Sequence, residues 1–260
     1  ALLVMLAYTM QIYFDFSGYC DMAAGICLML NIDLPVNFDS PYKAKSITEF
    51  WKKWHITLTR FFRVYVYFPL GGNRKGKIRT YINMFLIFFL SGLWHGAAYT
   101  FIIWGMLHGI GICLSKLLAK WTVKLPSFVR WLGTFLFVNI TWIYFRAPDL
   151  ASANAFIGQL FSFQFQPLSI ALVAAATPAE ANLAQWLIQN SSGSAPYYSG
   201  AVIILGVLVF SVFAGTVMKN TQERVQSFKA SKGILAVTVL LLIWSILSLS
   251  EVSKFIYVNF

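Results

Sequence analysis

Charged residues are scarce in this sequence. Of its 260 residues, 11% are Asp, Glu, Lys or Arg, whereas 58% are hydrophobic and 17% are aromatic. A soluble domain carries roughly 25% charged residues, so these few charges cannot form a water-exposed surface around a chain of this length. The composition therefore predicts that most of the chain lies in a lipid bilayer.

Cysteine is equally sparse, with Cys20, Cys27 and Cys113 all in apolar stretches. Because there is no CxxC pair and no Cys/His cluster, we expect no disulfide, no metal site and no bound cofactor. The net charge of +11 comes from short basic clusters between apolar runs. That pattern is typical of membrane topology control and contact with anionic lipid, and it argues against nucleic-acid binding.

The N-terminus lacks the basic region and the cleavage site of a signal peptide. Its first residues, ALLVMLAYTM, are typical of the middle of a transmembrane helix. We therefore expect that the chain is truncated at its N-terminus. Several apolar runs are shorter than the roughly 20 residues of a straight span. Because short helices are tolerated where they line a cavity, we predict an all-α polytopic membrane protein with short or broken helices around a central cavity, in one domain over 1–260. The runs are 1–14, 18–32, 80–95, 97–118, 129–145, 198–217 and 234–249.

The basic residues predict an orientation. Lys and Arg are concentrated in 39–79, 116–130 and 219–232 and are absent from 147–218. By the positive-inside rule, the three basic segments are cytoplasmic. The segment 146–197 then forms loops or short helices on the outer face, and the C-terminus lies on the outer side.

Residues 47–66 predict one amphipathic helix on the cytoplasmic face, with Thr48 as its N-cap. The basic side chains fall on one arc and the aromatic ones on the opposite arc, with His55 at the edge facing protein. His55 either bonds a backbone carbonyl or contacts an anionic ligand. The Gly-Gly turn and basic residues that follow, Arg74 among them, are a weak phosphate-binding signal, and a solvated loop is the simpler interpretation.

His95 and His108 stand inside apolar runs, and no acidic residue lies within forty positions of His95. An ionisable side chain at membrane depth is costly and predicts a functional site. Each histidine lies in a GxxxG frame, which lets helices approach closely and leaves a narrow slot. A neutral imidazole in such a slot is suited to take a proton from a hydroxyl that attacks an acyl carbon. The alternative for both is a hydrogen-bonded packing histidine.

Asp15 and Asp21 are the acidic residues of the first apolar region. They lie about 120° apart on a helix and so do not form one carboxylate pair. Gly18 between them predicts a break in the chain, and for both residues helix capping is as good an interpretation as catalysis.

Several long motifs resemble the membrane-bound O-acyltransferase family, in particular its polysaccharide O-acetylation branch, exemplified by the membrane subunit of alginate O-acetyltransferase. The matching stretches are YFDFSGYCDMAAGICLML (13–30), PVNFDSPYKAKSITEFWKKWHITLTRFFRVYVYFPLGGNR (35–74), FLSGLWHGAAYTFIIWGMLHG (89–109), IYFRAPDLASANAF (143–156) and the terminal FIYVNF. The resemblance implies that His95, in the WHG motif, is catalytic and that His55, in the FWxxWH motif, is the second recurrent histidine. We expect donor or substrate contacts from Trp51, Trp54, Arg60, Arg74, Trp94, His108 and Asp15.

The resemblance further implies a protein of the bacterial inner membrane that uses acetyl-CoA, or a similar acyl thioester, as co-substrate from the cytosol. The acceptor is a hydroxyl of an exported polysaccharide, reached directly or through a periplasmic relay protein as partner. Two alternatives stand: D-alanyl or another acyl transfer to a cell-wall polymer, and a non-enzymatic transporter. Against a transporter, no intramembrane charge pair or inverted repeat is evident.

Overall fold

The computed structural model describes residues 1–162 and 195–248, and every regular element in these ranges is a helix. The predicted all-α class is therefore confirmed for the described residues. They fall into two compact units, one made of 1–162 with 215–220 and the other of 195–214 with 221–248. Part of the predicted outer segment, 163–194, and the C-terminal residues 249–260 lie outside the described residues.

From residue 76 onwards, the long helices follow the predicted apolar runs closely. In chain order the helices are α1 Leu2–Met29, α2 Ile47–Lys53, α3 Ile56–Phe62, α4 Gly76–His95, α5 Tyr99–Leu117, α6 Ala119–Thr122, α7 Ser127–Arg146, α8 Leu150–Phe161, α9 Ala195–Thr216, α10 Thr221–Gln226 and α11 Lys232–Ser248. A 3-10 turn, Pro41–Lys43, precedes α2, and a π-helical turn, Arg63–Tyr67, follows α3. Among the described helices, α5 and α7 are long and apolar enough to cross a membrane.

The first helix corrects one prediction. Helix α1 runs unbroken through Gly18, so the expected break between runs 1–14 and 18–32 is wrong. A glycine inside a helix costs only about 1 kcal/mol relative to alanine, and the sequence of α1 contains no proline. Extending an existing helix across one such residue is easier than nucleating a second helix.

The predicted single helix over 47–66 is also wrong, because it breaks at His55. Trp54 is extended, and His55 adopts a left-handed conformation with φ 44° and ψ 56°. The extended residues before α2 take the hydrogen bonds that a continuous helix would use: Asp39 N–H donates to the Lys53 carbonyl, and Ile56 N–H donates to the Asn37 carbonyl, each over 3.0 Å.

The cap of α2 lies two residues earlier than Thr48, which corrects a further prediction. The Ser46 hydroxyl accepts from Glu49 N–H over 3.1 Å, and the Glu49 carboxylate accepts from Lys45 N–H over 2.8 Å. This reciprocal arrangement resembles a capping box. It fixes the N-terminal end of α2, with Phe50 and Trp51 buried and Lys52 exposed.

Helices α4 and α5 form the most extensive helix pair among the described elements. Gly92 and Gly105 face each other at this crossing: a Cβ built on Gly105 would lie 3.1 Å from the Gly92 Cα and would collide with the Phe88 carbonyl. The close approach expected from the small residues is confirmed. Between the two helices, Gly96 has φ 157°, and a Cβ there would lie 2.8 Å from the Phe101 ring, so the turn after His95 requires glycine.

A buried polar network ties α1 and α7 to the 3-10 turn. The Trp142 indole N–H donates to the Tyr42 hydroxyl over 3.2 Å, and that hydroxyl donates to the Thr9 carbonyl over 2.9 Å. The Thr9 hydroxyl in turn donates to Asn139 Oδ1 over 2.6 Å. Polar groups at this depth need protein partners because lipid offers none, so the network specifies how these elements meet.

The glycine crossing leads to a stability prediction. Gly105→Ala should lower the thermal unfolding midpoint of the purified protein in detergent, because overpacking costs about 1–3 kcal/mol. Gly133→Ala on α7 is the matched control, since its Cβ would meet nothing within 4 Å, and it should leave the midpoint unchanged or slightly raised. Equal midpoints for Gly105→Ala and the unmodified protein would contradict the close approach.

Candidate active site

His95 is the last residue of α4, and aromatic rings surround its imidazole. Its ring centroid lies 4.9 Å from Trp94, 5.1 Å from Trp104 and 5.0 Å from Phe145, all in edge-to-face arrangements. The residue is 9% exposed. Helix α4 supplies the imidazole, α5 supplies Trp104 and α7 supplies Phe145, so the site exists only where these three helices meet.

The ring nitrogens of His95 do not hold the side chain in the fold by hydrogen bonds to the described residues. Neither nitrogen forms a hydrogen bond with any residue in the described part of the chain, and neither is fully enclosed. A buried polar group normally has a partner, so this histidine keeps its hydrogen-bonding capacity for a group that the fold does not supply.

His108 is the opposite case. It is fully buried, its Nδ1 accepts from the Trp51 indole N–H over 3.1 Å, and its Nε2 lies 3.0 Å from the Thr141 hydroxyl oxygen. Because the indole can only donate, the neutral ring carries its proton on Nε2 and donates it to Thr141. The Thr141 hydroxyl in turn donates a hydrogen bond to the Val138 carbonyl over 2.8 Å. These contacts favour the packing interpretation of His108 over substrate contact.

A row of buried tryptophans extends from the Trp104 ring that contacts His95. Trp104 stacks on Trp142 with ring centroids 5.8 Å apart and an interplanar angle of 18°, and Trp142 lies 5.1 Å from Trp54. None of the three is more than 2% exposed. The Trp104 indole N–H is buried without a hydrogen-bond partner among the described residues. Buried aromatic rings therefore line one side of the His95 imidazole, and one of them, Trp104, carries an unused hydrogen-bond donor.

His55 lies at the break between α2 and α3, with its ring edge-to-face against Phe16 of α1 at 4.8 Å. It is partly buried, and burial lowers the pKa of His55 to about 4. The two imidazoles of His55 and His95 lie within electrostatic range of each other.

Asn37 holds the loop at His55. Its side-chain oxygen lies 3.2 Å from His55 Nδ1 and accepts from Thr57 N–H over 3.2 Å and from the Thr57 hydroxyl over 2.9 Å. Its Nδ2 lies 3.5 Å from Cys20 Sγ on α1. One amide side chain therefore connects α1, the extended segment and the start of α3.

The other predicted contact residues occupy three kinds of position. Trp51 and Trp54 are 5% and 2% exposed, which leaves little of either ring for a ligand to touch. Trp94 is 57% exposed beside His95. Arg60 and Arg74 are exposed and Asp15 is half-buried on α1, next to Phe16, which contacts His55. Ligand contact by these residues stays a prediction.

Sequence reasoning missed Trp104, Phe145, Thr141 and Asn37. Trp104 precedes His108 by four residues and so shares a helix face with it, a spacing that could have indicated a common environment. Phe145 and Thr141 are reached only through the packing of α7, and Asn37 lies in a segment without periodicity. Contacts between distant positions carry no signal in a single sequence.

The part of the chain that carries His55, His95 and His108 is also the part that matches known proteins. The family model of the membrane-bound O-acyltransferases matches residues 1–153. The chain is 52% identical over 157 residues to the Peptidoglycan O-acetyltransferase of Helicobacter pylori, a match that covers 59% of this chain and 30% of that protein. It is 51% identical over 160 residues to the Probable alginate O-acetylase AlgI of Pseudomonas fluorescens, covering 61% of this chain and 32% of that one.

A more distant similarity joins the chain to the Teichoic acid D-alanyltransferase of Bacillus subtilis, with 38% identity over 151 residues, 54% of this chain and 38% of that protein. The chain spans about a third of the length of the curated relatives it matches. The family match contains His55, His95, His108 and helices α1 to α7, which position them. The chain accordingly belongs to the membrane-bound O-acyltransferase family.

Proposed function

We propose that this chain carries the catalytic centre of an enzyme that transfers an acetyl group from a thioester to a hydroxyl of a cell-envelope polysaccharide. The observation that carries the proposal is His95, an imidazole with unbonded ring nitrogens inside an aromatic enclosure. Family membership and relatives named as O-acetylases support the same chemistry.

In the proposed step, an unprotonated ring nitrogen of His95 takes the proton from the acceptor hydroxyl as its oxygen attacks the thioester carbonyl carbon. The new C–O ester bond forms, the C–S bond breaks, and the leaving thiolate takes the proton back from His95. A base within hydrogen-bond reach of the attacking group contributes roughly 10²- to 10⁴-fold to the rate.

The aromatic enclosure supports transfer over hydrolysis. Trp104, Trp142 and Phe145 are nearly fully buried, and the rings of Trp104 and Phe145 contact the imidazole. Excluding water from a site protects a reactive acyl group from hydrolysis. A polysaccharide hydroxyl then competes with little water for the carbonyl carbon.

The donor we propose is acetyl-CoA, which enters from the side of the basic segment 39–79. Exposed Lys52, Arg60 and Arg74 are suited to its phosphates, because lysine and arginine bind phosphate through charge-assisted hydrogen bonds. By the positive-inside rule this side is cytoplasmic and 146–197 lies outside. The acceptor then arrives from the outer face, directly or through a periplasmic relay protein.

The acceptor class is the finer part of the proposal. Identities of 52% and 51% to proteins named for peptidoglycan and alginate favour polysaccharide O-acetylation over D-alanyl transfer, for which the quoted relative is 38% identical. Intact protein in proteoliposomes should move label from radiolabelled acetyl-CoA onto polymannuronate or peptidoglycan strands. Uptake of label without a covalent product would instead favour the transporter alternative.

Replacing His95 tests the catalytic role. In the intact protein, His95→Ala should reduce acetyl transfer by at least about 100-fold, since the step loses its base. The variant should still fold, with an unfolding midpoint lowered only by the lost ring contacts, because the imidazole makes no hydrogen bond within the described residues. Near-normal transfer by this variant would overturn the proposal.

Replacing His108 gives the complementary result. His108→Ala leaves the Trp51 indole N–H and the Thr141 hydroxyl without their partner, and each unsatisfied buried group costs about 1–3 kcal/mol. The unfolding midpoint in detergent should therefore fall clearly below that of His95→Ala. An unchanged midpoint in His108→Ala would show that its two hydrogen bonds do not support the fold.

A further inference from the structure

We propose that Asn37 is a positioning residue that fixes the proton of His55 on Nδ1, so that Nε2 presents a lone pair to the substrate. The inference rests on the proposed function, because it gives His55 a defined part in acyl transfer. The atom that contacts the substrate is His55 Nε2. It accepts a hydrogen bond from an O–H or N–H group, either the acceptor hydroxyl or an amide of the thioester's arm.

The orientation of the Asn37 amide follows from its neighbours. Thr57 N–H can only donate, so the side-chain atom 3.2 Å from it is the oxygen. The amide nitrogen then faces Cys20 Sγ at 3.5 Å, a weak acceptor. Turning the amide over would set its N–H₂ against a backbone N–H, so the oxygen is fixed towards His55.

The orientation of Asn37 decides the tautomer of His55. Nδ1 lies 3.2 Å from the Asn37 oxygen, which can only accept, so the neutral ring carries its proton on Nδ1. The hydrogen bond at one ring nitrogen sets which nitrogen is protonated. Nε2 is then an acceptor, and it has no hydrogen-bond partner among the described residues and is not fully enclosed.

The backbone holds the ring in place. His55 is in the left-handed region, which side-chain-bearing residues rarely adopt. The Asn37 carbonyl accepts from Ile56 N–H immediately after it. Asn37 therefore bonds the imidazole through its side chain and the adjacent backbone through its carbonyl, and it sets both the tautomer and the direction in which Nε2 points.

This arrangement gives His55 and His95 different roles. With its proton on Nδ1 and bound to Asn37, His55 cannot donate through Nε2 to the thioester carbonyl oxygen. It can only accept, and so it orients a substrate O–H or N–H. Among the described residues His95 makes no comparable hydrogen bond, so its ring can gain and lose a proton.

The tautomer can be measured without turnover. The intact protein, labelled with ¹⁵N-histidine, would be examined by solid-state NMR in proteoliposomes at neutral pH, with His55→Gln used to assign the His55 signals. The protonated nitrogen should be Nδ1, and Asn37→Leu should abolish this preference. A His55 ring protonated on Nε2 in the unmodified protein would overturn the inference.

Acetyl transfer from radiolabelled acetyl-CoA gives the second readout. Asn37→Leu should lower transfer at least about tenfold, as expected for loss of an orienting partner, and adding it to His55→Gln should cause no further loss. Thr57→Val is the matched control: it removes one hydrogen bond to the same oxygen but leaves the His55 proton in place, so transfer should stay near normal. Equal losses in Asn37→Leu and Thr57→Val would mean that Asn37 only supports the loop.

Asn37→Asp separates positioning from folding, because it keeps an acceptor oxygen facing Nδ1 and adds a negative charge. A carboxylate beside an imidazole favours its protonated form by about one to three pK units, so the acid limb of the pH–rate profile should move upwards. The other titratable groups at this contact are Cys20, whose Sγ lies 3.5 Å from Asn37 Nδ2, and His95, which interacts electrostatically with His55. Both are common to the two proteins. An unmoved profile would contradict the contact.

Different results would overturn the role of Asn37 and the proposed function. If His95→Ala abolishes transfer while the Asn37 variants keep normal rates, pH profile and tautomer, only the role of Asn37 is overturned. If His95→Ala keeps transfer, the proposed function is overturned, and the NMR measurement still tests where Asn37 places the proton.

Discussion

The approach of α4 to α5 at Gly92 and Gly105 is the constraint on which the site depends. Because neither residue has a side chain, the backbones come close enough for Trp104 of α5 to lie against His95 at the end of α4. Gly96 then turns the chain in a space that the Phe101 ring leaves too small for a Cβ. Any larger residue at the crossing would separate the imidazole from the ring that encloses it.

The three histidines show how hydrogen bonding separates structural from chemical roles in one apolar environment. His108 is bonded at both nitrogens, His55 at one and His95 at neither within the described residues. A fully bonded imidazole has no free site for a substrate. A half-bonded one has a fixed tautomer and one defined contact, and an unbonded one can exchange a proton.

Much of the fold was predictable, because long apolar runs report directly on helices. His95 stood out because an ionisable residue in an apolar run is costly. The unbroken α1 and the break at His55 were not predictable. Helix α1 continues through Gly18, because one glycine costs a helix only about 1 kcal/mol. The break at His55 depends on Asn37, eighteen residues earlier, through contacts that no periodicity reveals.

The central claim is that His95 removes the proton of the acceptor hydroxyl. The most direct measurement is a cryo-EM structure of the intact protein with a non-reactive thioether analogue of acetyl-CoA and a short mannuronate or peptidoglycan oligosaccharide. The claim predicts an acceptor hydroxyl within hydrogen-bond distance, about 2.6–3.2 Å, of a His95 ring nitrogen, and facing the carbonyl carbon of the analogue. A hydroxyl held by another base, with His95 out of reach of both substrates, would contradict it.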